Sequence, residues 1–208
     1  MAESRPLVVV KVGGSLLDWP ELTVRLETFL GSDVAREGGP HPRFVLIVGG
    51  GPVADAIRAL DKAQGFGAAR AHRLALGAMD LTAELLAGEL SGGLLVRSLE
   101  ELPGAWRAER RPILAVRRYM EEVDEPGGDP LPRSWSVTSD SIAARIADRL
   151  GADRLILLKS TATAASSRRE AAEAGLVDPV FPKASALLGR VEVVALREPD
   201  RPIRTLTS

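Results

Sequence analysis

Lys11, Lys159 and Asp140, with the glycine clusters Gly13-Gly14-Ser15 and Gly49-Gly50-Gly51, are the residues whose types and settings could do chemistry. Each lysine ends an apolar run, Val8-Val9-Val10 before Lys11 and Leu155-Ile156-Leu157-Leu158 before Lys159. Each glycine cluster leaves backbone N–H groups bare and lets an anion come close. A lysine beside such a cradle adds a mobile point charge. Phosphoryl transfer asks the protein mainly for positive charge on the moving oxygens and on the leaving group. Two lysines at one sheet edge could supply it from opposite sides. Asp140 could orient both, and Gly49 to Gly51, at a helix start, could hold the transferring group or its acceptor. Taken singly, each feature also fits an ordinary role: a β–α turn, a solvated strand-end lysine, a helix-capping carboxylate.

The order of lysine and glycine is not that of a P-loop, because Lys11 precedes its glycines, and the Rossmann pattern Gly-x-Gly-x-x-Gly is missing. A second group falls on one expected helix: Arg70, His72, Arg73 and Asp80. His72 and Asp80, eight residues apart, lie within about a quarter-turn of each other. If that helix lines the space behind Gly49 to Gly51, these residues choose the acceptor; otherwise they are a polar helix face. Trp135, just ahead of Asp140, either walls the acceptor pocket or fills the core.

The elements that must position these groups follow from hydrophobic patterning. Strands are expected at 7–12, 44–48, 94–96, 113–116, 154–159 and 191–196. Helices are expected at 20–30, with Leu22, Leu26, Phe29 and Leu30 on one face, at 52–64 with Val53, Ile57 and Leu60, and at 68–90. A helical turn is expected at 99–106, and helical segments at 164–174 and within 179–188. Thr138-Ser139-Asp140 caps a helix that carries Ile142, Ile146 and Leu150 inside and ends at Gly151. Residues 38–42 and the Pro- and Gly-rich stretch 121–133 read as loops. Strands that are apolar runs, alternating with helices, predict an α/β fold with a mainly parallel sheet covered on both faces. Ligand sites of such sheets lie at the carboxyl ends of the strands, where Lys11, Gly49 and Lys159 all fall.

The 208 residues suit one large domain over 1–208. A net charge of −1 gives no basic field for nucleic acid or an anionic membrane. The absence of cysteine excludes disulfides and thiolate chemistry, and the two histidines, His41 and His72, exclude a histidine-rich metal site. No apolar run approaches the ~20 residues of a membrane span. The N-terminal residues lack an apolar signal core, so a cytoplasmic location is expected.

Lys11-Val12-Gly13-Gly14-Ser15, Gly49-Gly50-Gly51, Thr138-Ser139-Asp140-Ser141-Ile142-Ala143-Ala144 and Leu157-Leu158-Lys159-Ser160, in that order, resemble the amino acid kinase family. The resemblance implies a three-layer αβα sandwich, ATP and Mg²⁺, homo-oligomers, and transfer of the γ-phosphoryl group to an anionic small molecule without a general base. It implies that Lys11 and Lys159 stabilise the transferred group and that Asp140 organises them. Gly13, Gly14 and Ser15 would hold the nucleotide phosphates, and Gly49, Gly50 and Gly51 the acceptor. Ala71-His72, Ala78-Met79-Asp80 and Trp135 with Val137-Thr138-Ser139-Asp140 are similar to the branch that phosphorylates an aminomethyl-furanyl-methyl phosphate in methanofuran-type cofactor synthesis. There Asp80 would meet the amine and Arg70 or Arg73 the phosphate. Two departures fall in the nucleotide half. No Asp-Gly pair follows Lys159, and Arg204-Thr205 stands where a Gly-Thr pair is common. They motivate an alternative, a nucleotide- or oxyanion-binding sensor or storage protein without turnover. A carboxylate kinase of amino-acid metabolism is a third reading.

Overall fold

Strand β1 (Leu7–Val12) runs through the middle of the molecule, because every one of its residues is buried and it has a parallel partner on each side. The computed structural model describes residues 5–32 and 41–208; Gly38 to Pro40 of the expected loop, and the first four residues, lie outside them. On one side of β1 lies β2 (Arg43–Val48), then β4 (Arg111–Leu114) and β3 (Gly93–Val96). On the other lie β5 (Arg154–Lys159), β6 (Val191–Ala195) and the antiparallel edge strand β7 (Ile203–Thr205). Helices fill both faces, so the molecule is a three-layer αβα sandwich with a mainly parallel sheet.

Alternation along the strands splits the apolar residues between two cores. Val8, Val10 and Val12 of β1, with Ile156 and Leu158 of β5, pack under α1 (Leu22–Gly31) and the second half of α3 (Ala68–Glu89). Leu22, Leu26, Phe29 and Leu30 are the buried stripe of α1, as their spacing predicts. Leu7 and Val9, with Leu155 and Leu157, face the other way, onto α6 (Ser139–Leu150) and its neighbours. Lys11 and Lys159 continue that second set by the same two-residue period. Strand parity alone therefore aims both lysines at the α6 layer.

Several expected elements are corrected. α2 (Gly51–Gln64) forms but buries no residue fully; Leu60 is 49% exposed, because the helix lies on α3 and not on the sheet. The strand expected at 113–116 sits at 111–114, since α5 (Val116–Tyr119) already begins there. The 121–133 loop starts with a wide helical turn (Met120–Asp124), and buried Asp124 accepts the backbone N–H of Leu131 at 2.9 Å. A short helix α4 (Leu102–Arg107) precedes β4. The helix expected at 164–174 is shorter, α7 (Arg168–Glu173), and α8 (Phe181–Ala184) follows. No described helix is long and apolar enough to cross a membrane.

Candidate active site

The register of β1 places the site elements. Lys11 lies level with Ile47 and Leu157, and Val12 with Val48 and Leu158, so Gly13, Gly49 and Lys159 leave adjacent strands together. Gly13 donates its N–H to the Leu158 carbonyl at 2.9 Å, and Gly49 donates to the Val12 carbonyl at 2.9 Å. The two glycine clusters meet here. A Cβ on Gly14 would come within 2.5 Å of the Gly51 nitrogen, and one on Gly49 within 2.8 Å of the Gly14 nitrogen. Gly51 has φ +50°, in the left-handed region where glycine is favoured. Thr82 of α3 donates to the Gly49 carbonyl at 3.1 Å and holds the junction from behind.

This contact makes a prediction. Gly14→Ala forces backbone against backbone and is expected to cost about 1–3 kcal/mol and to weaken ATP binding. Gly88→Ala, on α3 with nothing within 4 Å of the new Cβ, is the control and should stabilise by about 0.5–1 kcal/mol. Thermal unfolding and ATP titration of both variants check it; equal behaviour would mean the junction tolerates a side chain.

Asp140 stands between the lysines. Lys11 Nζ is 3.0 Å from its Oδ1, and Lys159 Nζ donates to both carboxylate oxygens at 2.9 and 2.8 Å. Lys159 also donates to the Leu176 carbonyl at 2.6 Å. Lys11 is 3% and Asp140 4% exposed. Burial by itself would raise the Asp140 carboxyl, but the two ammonium groups outweigh it and hold the group below the usual carboxylate range. Burial, then the neighbouring Lys11 charge, lowers Lys159 to about 8, against the attraction of Asp140. The trio thus carries one net positive charge, largely shielded from water, at the ends of the strands that lead into the glycine turns.

The helix that carries Asp140 is anchored by a residue the sequence gives no hint of. Thr138 caps α6 as expected. Behind it, buried Asp178 accepts the backbone N–H groups of Thr138 and Ser141 at 3.0 and 3.1 Å, and both hydroxyls. A carboxylate at a helix N-terminus satisfies bare donors and the helix dipole together. It is 38 residues beyond Asp140 in the chain, and no periodicity links the two.

Beside the junction lies a cavity of about 210 Å³. Gly14, Ser15 and Gly49 to Gly51 form its floor, and Leu76, Met79, Trp135, Val137 and Ile142 its apolar walls. His72 and Trp135 both line it. Trp135 is fixed there: its indole N–H donates to Asp61 at 2.8 Å, and the Arg58 guanidinium stacks 4.5 Å over its ring. Asp61 and Arg58, both on α2, are further residues that sequence reasoning missed.

Arg73 and Asp80 are not brought to this cavity. Asp80 accepts the backbone N–H of Arg117 at 3.1 Å, at the start of α5, and burial raises its carboxyl against those backbone bonds. Arg73 lines a separate surface hollow with Arg70, Arg117 and Arg133, and Arg70 stacks on Phe66. The ~100° step of a helix sends neighbours in sequence to different surroundings. Arg197, on the chain after β6, is near the other cluster: it donates to the Ser15 carbonyl and to Asp18, both at 2.7 Å.

The titration of Lys159 predicts opposite trends in activity and stability. If its ammonium is needed, kcat/KM falls as pH rises through about 8. Between about 8 and the unfolded value of 10.5 the unfolded chain binds the extra proton. The contribution of this group to stability therefore rises with pH over that window. A pH profile of kcat/KM beside denaturant unfolding from pH 7 to 10 checks both signs.

The family model described as "Amino acid kinase family" matches residues 6–163. A curated relative, the [5-(aminomethyl)furan-3-yl]methyl phosphate kinase of Methanocaldococcus jannaschii, is 30% identical over 150 residues, 72% of this chain. The chain spans 63% of the length of that relative. Among solved structures, the UMP kinase of Ureaplasma parvum superposes with a TM-score of 0.66 at 13% identity, covering 99% of this chain and 100% of that one. The aspartate kinase of Synechocystis superposes with a TM-score of 0.68 at 14% identity, covering 97% of this chain and 40% of that one. These structural likenesses speak to the fold. The family match covers most of the sequence, including both glycine clusters, both lysines and Asp140, and on it this chain belongs to the amino acid kinase family.

Proposed function

We propose that the chain is an ATP-dependent phosphotransferase that moves the γ-phosphoryl group to an anionic small molecule, a phosphate monoester such as an aminomethyl-furan methyl phosphate. The observation that carries this reading is the buried Lys11–Asp140–Lys159 trio at the meeting point of two glycine cradles. The acceptor's phosphate oxygen attacks the γ-phosphorus, the bond to the β–γ bridging oxygen breaks, and ADP leaves with the electron pair. The attacking oxygen is already anionic, so no base need remove a proton. Lys11 and Lys159 stabilise charge on the transferred group, and Asp140 holds the two ammonium groups in place without neutralising both. Gly14 and Ser15 take the nucleotide phosphates with bare N–H groups beside Gly13, whose own N–H is held by Leu158, and Gly49 to Gly51 face the acceptor. Mg²⁺ on the nucleotide would add charge neutralisation. No group of three or more metal-ligating side chains gathers among the described residues, so the phosphates themselves would be its main ligands.

The acceptor assignment rests on the cavity and on the name of the curated relative. The walls are apolar, with Trp135 held rigid, and Arg58 is the cation among the lining residues. That suits a small ring bearing one anionic group better than an acidic amino acid with two carboxylates. Incubation with Mg·ATP and, in turn, the aminomethyl-furan methyl phosphate, UMP, aspartate and glutamate tests the reading. ADP and a diphosphate product are expected with the phosphate monoester. ATP binding by calorimetry without ADP from any acceptor would favour the sensor reading instead.

A further inference from the structure

We infer that Nε2 of His72 is the atom that selects the acceptor, by accepting a hydrogen bond from an amine N–H held against Trp135. This rests on the phosphotransferase reading of the same cavity. His72 is 5% exposed, lines the cavity, and its Nε2 is buried without a partner. Buried polar atoms in folded proteins nearly always have a partner, so an orphan nitrogen in a cavity-lining side chain marks where a ligand atom belongs. The Ser134 backbone beside the ring favours the protonated form. A backbone group with that effect is a carbonyl facing a ring N–H. With Nε2 unpartnered, the donor is Nδ1, which leaves a lone pair on Nε2. Burial, followed by opposing effects of Glu125 and Arg133 and a raising effect of Asp124, lowers the imidazole below its usual range, so the ring is neutral near pH 7. A neutral ring in this tautomer can accept a hydrogen bond at Nε2 and cannot donate one there.

Three of the other polar side chains around the cavity are engaged. Asp55 pairs with Arg58 at 2.9 Å, and the Thr138 hydroxyl donates to Asp178 at 2.8 Å. The chemistry left open is therefore an apolar ring body carrying an N–H donor. The ring would lie among Leu76, Met79 and Trp135, and the amine would reach His72. Asp80, expected from its spacing to meet an amine, is spent on the start of α5. His72 takes that role.

Two measurements test this. The first compares kcat/KM for [5-(aminomethyl)furan-3-yl]methyl phosphate and its 5-methyl analogue, which lacks the nitrogen. The wild-type chain should prefer the amine by about tenfold or more, the size of a hydrogen bond to a charged group. His72→Leu should bring the two within about twofold by slowing the amine. His72→Gln, whose side-chain carbonyl can accept, should keep part of the preference. An unchanged preference in His72→Leu overturns the assignment. The second needs no turnover. Only His41 and His72 contribute imidazole ¹⁵N signals, and titrating the wild-type chain with the amine phosphate, without ATP, should move the His72 Nε2 resonance while the methyl analogue leaves it in place. Equal responses, or none, overturn it. If the resonance moves with the amine but no acceptor yields ADP, the phosphotransferase reading fails and the role of His72 stands. If ADP forms and His72→Leu changes nothing, the reverse holds.

Discussion

Lys11→Ala is expected to lower kcat by about 10²–10³-fold, the usual loss when one preorganised group facing transition-state charge is removed. Lys11 is buried at the end of the central strand, and its Nζ touches Asp140 at 3.0 Å. The fold should survive the change, because Asp140 keeps Lys159 on both of its oxygens. KM for ATP should move much less than kcat, since the bare N–H groups of Gly14 and Ser15 remain. Steady-state ADP release, beside thermal unfolding, checks the split. Near-normal turnover in a folded variant would mean that Lys11 is only a strand-end residue. A rise in KM at constant kcat would make it a nucleotide anchor that adds nothing to the transition state.

Asp140→Asn is expected to damage both activity and folding. The amide can accept from one lysine but cannot offset two charges. Leaving buried charge uncompensated in this way typically costs about 3–5 kcal/mol. Part of that cost is escaped by deprotonation. Lys159 already titrates at about 8 through burial and the nearness of Lys11, and losing the carboxylate removes the partner that opposes both. Its pKa should then fall further. The variant should therefore lose kcat by about 10³-fold near neutral pH, and its residual activity should decline at a lower pH than in the wild type. Its stability deficit should shrink as pH rises, because the neutral amine no longer needs a partner. Denaturant unfolding at pH 6.5 and 9, with a pH profile of the residual rate, reads these effects. A deficit that is the same at both pH values would show that the carboxylate does not govern the charge state of Lys159.

The mainly parallel α/β architecture and the local settings of Lys11, Lys159 and Asp140 could be read from local pattern. Apolar runs of strand length ending in Lys11 and Lys159 announce buried parallel strands. The two-residue period then aims both lysines at one layer, and Thr138 caps the helix that brings Asp140 there. Helical spacing was less informative where it had to say which face meets what. His72 and Asp80 lie about 80° apart around α3. That angle is enough to leave His72 on the cavity and turn Asp80 to the start of α5. The stripe Val53, Ile57 and Leu60 correctly marks a helix, but α2 spends it on α3 and leaves Leu60 half exposed. Strand β7 has three exposed residues and no apolar run, so nothing in its composition marks it.

The sequence by itself determined six of the seven described strands, the glycine turns and the identity of the charged trio. Each of these is set within a few residues by backbone freedom, burial period or capping. The tertiary structure alone decided what stands behind and beside them. Asp178 clamps α6, Asp61 fixes Trp135 beside the cavity, and His72, which lines it, keeps a buried unpaired nitrogen. Those are contacts between elements far apart in the chain. They depend on how whole helices are placed over the sheet, and residue order carries no periodic signal of that placement.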